Sequence, residues 1–365
     1  MVRSAYIHIP FCSHICSYCD FCKMLYYEKY VDNYLTALEQ EINDRYQGEL
    51  LDTVYIGGGT PSCLTEKELE RLFILLERLK KNDNYEYTIE ANFDSITFSK
   101  LDLCKKYGIN RISFGLETTQ PWLLEKMGRE LSTTFVRRII SYCKKIGISN
   151  INVDLMYAFP KETLQEVSRD LDFILSLDVP HISTYSLILE EHTRLYFDKV
   201  KEIDEETDAM MYQEIINKLK GYRHYEISNF GKEGYESRHN QCYWRNLEYY
   251  GFGLGASGYY KDRRYTNTRS IQKYLLGNYE LSFEKLDLYD KIYYEVILNL
   301  RMQQGISKRE FFKKYSHELL EFYDYHSLLI DGVLVETDEF LFIPEKYWYI
   351  SNEILIRLLE ECKYE

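Results

Sequence analysis

Residues 12–22 read CSHICSYCDFC, directly behind AYIHIPF at 5–11. The leading run is apolar and β-branched and reads as a buried strand; the cysteines then fall on the loop that follows it. Cys12, Cys16 and Cys19 are spaced CxxxCxxC. Three thiolates on one tight loop can hold a 4Fe-4S cube and leave one iron without a protein ligand. A zinc site completed by Cys22 or His14 is the alternative, since structural zinc accepts similar spacings. A structural zinc knuckle does not require a first strand before the loop, nor a glycine-rich turn after the second strand. Both are present here.

The 365 residues, 45% of them hydrophobic, suffice for one large domain and a smaller one. The nine cysteines are an odd set, with four crowded into one loop, which argues for a reducing compartment and against a disulfide framework. No stretch has the apolar length of a membrane span and no signal peptide is evident, so a cytoplasmic protein is expected. The formal charge of -13 is spread along the chain, which disfavours a nucleic-acid partner.

Strand-like runs recur at 5–9, 53–58, 87–92, 111–116, 150–157 and 181–187, with amphipathic helical stretches between most of them. Alternation of this kind predicts parallel strands, and polar residues gather at their carboxyl ends, as on the active rim of α/β barrels. The expected fold is therefore α/β, a partial (β/α)6 TIM-like barrel over 1–220. A β-rich extension over 221–285 and a small winged-helix-like domain over 286–365 complete the chain. Gly253, Gly255 and Gly258 match GxGxxG, but no helix opens at the third glycine, so tight β geometry is expected rather than a nucleotide fingerprint.

The turn after the second strand is GGGTP, Gly57 to Pro61. It lacks the Lys-Ser/Thr ending of a phosphate loop, and its backbone can approach a ligand closely. Glu90, Glu117 and Asp154 fall at the ends of strands three, four and five. Capping or surface ion pairing would explain any one of them singly. Further on, HNQCYW at 239–244 offers an imidazole, His239, with Tyr243 and Trp244 as apolar walls for a porphyrin face. A loop hydrogen-bonded against the core is the alternative. Cys242 ranks below His239 as an iron ligand.

CxxxCxxC after an N-terminal strand resembles the radical S-adenosylmethionine superfamily. YIHIPFC before the cluster and CDF after it are similar to the HemW-like heme chaperones and to the related oxygen-independent coproporphyrinogen III oxidases. The resemblance implies a 4Fe-4S cluster on Cys12, Cys16 and Cys19. It implies S-adenosylmethionine at Tyr6, Gly57, Gly58, Gly59, Thr60, Glu90, Glu117, Arg129 and Asp154. Glu90 and Arg129 then hold the methionine end, while Glu117 and Asp154 accept from ribose hydroxyls. The relatives carry Gln at the position of Glu117, and Phe93 and Leu131 are further departures. HNxxYW is the feature that separates the chaperones from the oxidases. Through it the resemblance implies heme binding at His239, Asn240, Tyr243 and Trp244. It also implies transfer to an acceptor protein, with respiratory proteins and peripheral contact with their membrane as the setting. The short stretch before the cluster strand, without the oxidases' substrate-enclosing segment, and Cys22 three rather than two positions after Cys19 point the same way. Radical oxidation of a porphyrinogen is the alternative function.

Overall fold

The computed structural model describes residues 2–363. Six strands, β1 (Ser4–Ile9), β2 (Leu51–Gly58), β3 (Lys81–Asn92), β4 (Arg111–Glu117), β5 (Asn150–Tyr157) and β6 (His181–Ser186), lie side by side in chain order. Each neighbouring pair is parallel. The crossovers are α1 (Glu28–Arg45), α2 (Glu66–Leu76), α3 (Phe98–Lys106), α4 (Thr133–Lys145) and α5 (Leu164–Leu175). Thr65 with Glu68 and Thr163 with Glu166 form reciprocal capping boxes that fix where α2 and α5 begin.

The strands alternate strictly. Val54, Ile56, Ile89, Phe114, Val153 and Ile182 belong to the main apolar core, whereas Tyr55, Glu90, Ser113, Asn152, Asp154 and Ser183 face a shared cavity. A parallel sheet covered by helices on both faces is apolar on both. One polar face means that the sheet wraps around a space of its own, as a half-barrel does.

The sheet has nine strands because the segment after the repeat completes it at both ends. β7 (Arg223–Glu226) and β8 (Asn229–Gly231) form an antiparallel pair that docks on β6. β9 (Tyr250–Phe252) runs parallel to β1 on the opposite edge. Residues 221–285 are thus β-rich but do not stand apart from the barrel. Their remaining strands, Ser257–Tyr260, Arg263–Asn267 and Glu280–Lys285, make a separate three-stranded antiparallel sheet. A second apolar core runs from Ile292 to Leu358, whereas the first ends at Tyr279. It is built by a helix at Leu288–Asn299 capped by Asp287, by short helices, and by a small antiparallel sheet of Ile306–Ser307, Phe340–Phe342 and Val335–Glu336.

Two local readings are corrected. The stretch HNQCYW, with a loop hydrogen-bonded against the core as its alternative reading, is bonded against the core but as most of a helix, α6 (Arg238–Trp244), started by Ser237, whose Oγ accepts from Asn240 N at 3.2 Å. Its backbone N–H groups at 238 and 239 donate to the Glu86 carboxylate at 3.1 and 3.0 Å. Asp154 lies inside β5 rather than at its end. The segment 318–332 holds two short helical pieces, Leu319–Glu321 and His326–Ile330.

Candidate active site

The polar face of the half-barrel encloses a cavity of about 420 Å³. Cys12, Cys16 and Cys19 line it, and Cys22 does not. Cys12 sits on a two-residue strand, Phe11–Cys12, that pairs with Met24–Leu25 and so closes the cysteine loop at its base. Gly59 passes so close that a Cβ there would lie 2.9 Å from Cys12 Sγ and 2.8 Å from the Phe11 carbonyl. That approach explains why the turn after β2 is glycine-rich. Thr60 Oγ1 donates to Cys12 Sγ at 3.7 Å. Burial pushes the Cys12 and Cys16 thiols up to about 11, so thiolate ligation requires the charge of a bound metal. Among the described residues no three His, Cys, Asp or Glu side chains are gathered tightly enough for a single metal ion. The three thiols line one cavity, which has room beside them for a polynuclear cluster.

Cys22 faces away, toward the segment after β9. A Cβ on Gly255 would meet its Sγ at 2.7 Å, and Arg269 Nη2 donates to the Asp20 carbonyl at 2.8 Å. His8 closes the same corner. Its Nε2 donates to the Cys22 carbonyl at 2.6 Å while Tyr6 O–H donates to its Nδ1 at 3.0 Å.

Below the cysteine loop the expected cofactor residues meet. Glu90 accepts from Tyr55 O–H at 2.8 Å and from Gly58 N at 3.0 Å. Burial raises its carboxyl from 4.5 to about 7. Glu117 and Arg129 form a buried ion pair at 2.8 Å, and Arg129 Nη2 donates to the Gly115 carbonyl at 2.9 Å. Glu117 has φ of 66° at a register shift between β4 and β5, and this bulge turns its carboxylate toward Arg129. The Glu in place of the relatives' Gln is therefore the counterion of a guanidinium and not only a hydroxyl acceptor. Asp154 accepts from Asn152 Nδ2 at 2.7 Å and from Ser113 Oγ at 3.2 Å. Carboxylates, an arginine fork with free donors and neutral hydroxyls in one cavity suit a zwitterionic amino acid joined to a ribose.

The motif helix α6 forms the floor. His239 is 1% exposed, stacks on Tyr55 at 5.1 Å, and has both nitrogens engaged: Nδ1 with Thr53 Oγ1 and Nε2 with Tyr243 O–H, each at 2.7 Å. Burial lowers it to about 3, so it is a neutral imidazole. The expectation of His239 as an iron ligand is corrected accordingly: neither nitrogen is free for iron in this arrangement. Asn240 reaches the cavity, whereas Cys242, Arg238 and Arg245 open on a different cleft of about 690 Å³ beneath the barrel. Trp244 turns toward Arg301 of the C-terminal domain, 6.0 Å from its ring centre, and its buried Nε1 has no partner.

Sequence reading missed the inner polar rows, Tyr55, Arg111, Ser113, Asn152 and Ser183. For all but Ser183 the signal was alternation within strands already recognised: each lies an even number of residues from Gly57, Glu117 or Asp154 on the same strand. A chain of bonds also went unseen. Ser237 N donates to the Tyr225 hydroxyl oxygen, Oη, at 3.1 Å, Tyr225 O–H to His181 Nε2 at 2.8 Å, and His181 Nδ1 to Asn152 Oδ1 at 2.6 Å.

The radical SAM superfamily profile matches residues 6–174. The heme chaperone HemW of Bacillus subtilis (strain 168) is 37% identical, the alignment covering 99% of this chain and 100% of that one. Its counterpart in Lactococcus lactis subsp. lactis (strain IL1403) is 38% identical, covering 98% and 97%. Among solved structures, the radical SAM coproporphyrinogen III oxidase HemN from Escherichia coli superposes with a TM-score of 0.85 at 23% identity. The match covers 97% of this chain and 89% of that one, a likeness of fold. By whole-length similarity at this level, the chain belongs to the HemW heme chaperone family of the radical SAM superfamily.

Proposed function

We propose that the protein is a heme chaperone that binds heme and passes it to an acceptor protein. The observation that carries this is similarity along the whole chain to proteins named heme chaperones. The complete HNQCYW supports it. A 4Fe-4S cluster on Cys12, Cys16 and Cys19 supplies, when bound, an electron and an open coordination position. Around it, Glu90 accepts from the ammonium of S-adenosylmethionine, and Arg129, braced by Glu117 and Gly115, turns its remaining donors to the carboxylate. Asp154 accepts from the ribose. Tyr6, Gly57, Gly58, Gly59 and Thr60 shape the wall beside it.

Heme lies against the outer face of α6, in the cleft beneath the barrel. Arg238, Arg245 and Lys261 line that cleft and form no ion pair among the described residues, which suits two propionates. His239 serves from inside by holding Tyr243 and the helix in place, with Asn240 and Trp244 on its flanks. The acceptor is a heme-requiring respiratory protein met in the cytoplasm or at the membrane surface. No helix among the described residues is long and apolar enough to cross a membrane.

The test is a heme titration of the wild type beside an anaerobic assay for conversion of coproporphyrinogen III to protoporphyrinogen IX. Stoichiometric heme binding with negligible turnover is expected. Robust turnover without heme binding overturns the reading in favour of the oxidase. Arg245→Glu is expected to weaken heme binding at least tenfold and to leave binding of heme dimethyl ester unchanged.

A further inference from the structure

Arg111 opens β4 at the base of the cavity, two residues below Ser113 and six below Glu117 on the same inward row. It is 2% exposed. Its guanidinium makes no ion pair with any described residue, and its Nε is buried without a hydrogen-bond partner. Its register neighbours are Thr88 on β3 and Asn150 on β5. Both offer acceptors at its side, Thr88 Oγ1 and Asn150 Oδ1, and both of these atoms are themselves buried and unpartnered. The side chain has left two adjacent acceptors unused and lines the cavity instead.

A buried guanidinium keeps its charge and carries five donors in a plane. Left without an anion it is strongly destabilising, more so than an apolar residue of the same volume. The carboxylates nearby make their direct contacts elsewhere, although the Arg111 charge reaches Asp154 and acts to lower its carboxyl. Asp154 is bonded by Asn152 and Ser113, Glu90 by Tyr55 and Gly58, and Glu117 by Arg129. Two of them lie higher on the barrel wall. Glu90 is level with Ser113 and Asp154 with Gly115, one and two inward rows above Arg111, a separation on the order of 7 and 13 Å along the strands. Level with Arg111 on the inward face is the neutral Tyr55, and one row above it the neutral Asn152; Asn240 of α6 lines the same cavity. A cation at the floor, acids and Arg129 above it, and neutral donors between make a cavity with two anion-binding levels.

We infer that the floor of the cavity is a second binding site, in which Arg111 receives the planar carboxylate of an organic acid lying beneath S-adenosylmethionine. Such a ligand is held by its acid end, with its remaining carbons directed upward toward the cysteine loop. The fork of Arg111 matches a carboxylate with two parallel hydrogen bonds, and Asn240 places the motif helix in contact with whatever occupies the site. The site goes beyond heme binding, because α6 presents a different face to the cleft below.

The probe is sodium propionate, titrated into the full-length protein at ionic strength held constant with sodium chloride, in the presence of saturating S-adenosylhomocysteine. The thermal midpoint of the wild type is expected to rise and saturate with propionate. Arg111→Met is expected to lose the response and to show a ligand-free midpoint no lower than the wild type's. Arg111→Lys, which keeps the charge without the fork, is expected to need at least tenfold more propionate. A wild type indifferent to propionate overturns the inference, as does an equal response in Arg111→Met. If S-adenosylhomocysteine abolishes the response, the carboxylate site belongs to the cofactor and the inference fails. If chloride alone matches propionate, the site is not carboxylate-specific and it fails equally.

Discussion

The rim and the floor of the half-barrel are built on opposite plans. At the rim each element carries its chemistry in a contiguous stretch: the cysteine loop after β1, GGGTP at the end of β2, a lone Glu on the bulge that ends β4. At the floor the working residues come one at a time from β2, β4 and β6 and from a helix donated by residues beyond the barrel repeat. The rim is loops held by close backbone approach. The floor is side chains holding one another, with His239 between Thr53, Tyr55 and Tyr243. Rim substitutions should therefore remove a ligand and leave the fold, and substitutions among the interlocked floor side chains around His239 should disturb fold and ligand together.

The largest expected effect lies at the rim. Cys12→Ala, Cys16→Ala and Cys19→Ala should each abolish the cubane absorbance and iron content of the reconstituted protein, while Cys22→Ala should retain both, because Cys22 packs on Gly255 outside the cavity. Equal loss in all four would show a four-thiolate site. Next, Arg129→Ala should weaken S-adenosylmethionine binding by at least tenfold, the loss of a charge-assisted contact of about 1.5–3 kcal/mol. An unaltered paramagnetic resonance response to the cofactor would remove Arg129 from the site.

His239→Ala sharpens the contrast from below. Two hydrogen bonds and a stacked ring are lost, so stability should fall by about 2–4 kcal/mol in chemical denaturation, with weaker cofactor binding alongside. A stable variant that has lost only its Soret band would instead make His239 a direct ligand and break the division between floor and rim. The smallest effect is one of pH. Within the fold Glu90 keeps a proton between 4.5 and about 7 that the unfolded chain releases, so the cofactor-free protein should lose stability as pH rises through that window. Glu90→Gln should lessen the loss, as read from thermal midpoints at pH 5 and pH 8. Parallel curves would mean that Glu90 does not titrate there.

The same contrast decides what was legible beforehand. Strands and most crossover helices could be read because apolar periodicity and caps are local; β5 begins and ends where NINVDLMY does. The cysteine loop and GGGTP were readable because their chemistry is consecutive in sequence. Arg111, Asn152 and Tyr55 were not singled out, since each looks like an ordinary polar residue within a strand until the curvature of the sheet gives that face an interior. His239 illustrates the converse. Its motif was visible, but its role was misjudged, because an imidazole beside aromatics looks the same in sequence whether it faces solvent or is sealed by a threonine 186 positions away.

The bonded series from Ser237 to Asp154 runs in one direction. The Asn152 oxygen can only accept, so His181 Nδ1 carries the hydrogen, Nε2 must accept from Tyr225, and Tyr225 in turn accepts from the backbone at Ser237. With the Asn152 amide pointing to Asp154, four dipoles are aligned head to tail, and aligned hydrogen bonds polarise one another. Asp154 and the cap of the motif helix are thereby thermodynamically conjugate. A donor that draws charge from the carboxylate loosens the hold on Ser237, and any ligand that reorients the helix returns the same free energy to Asp154. Reciprocity of this kind gives the two ends of the barrel a common currency without any movement of the sheet between them.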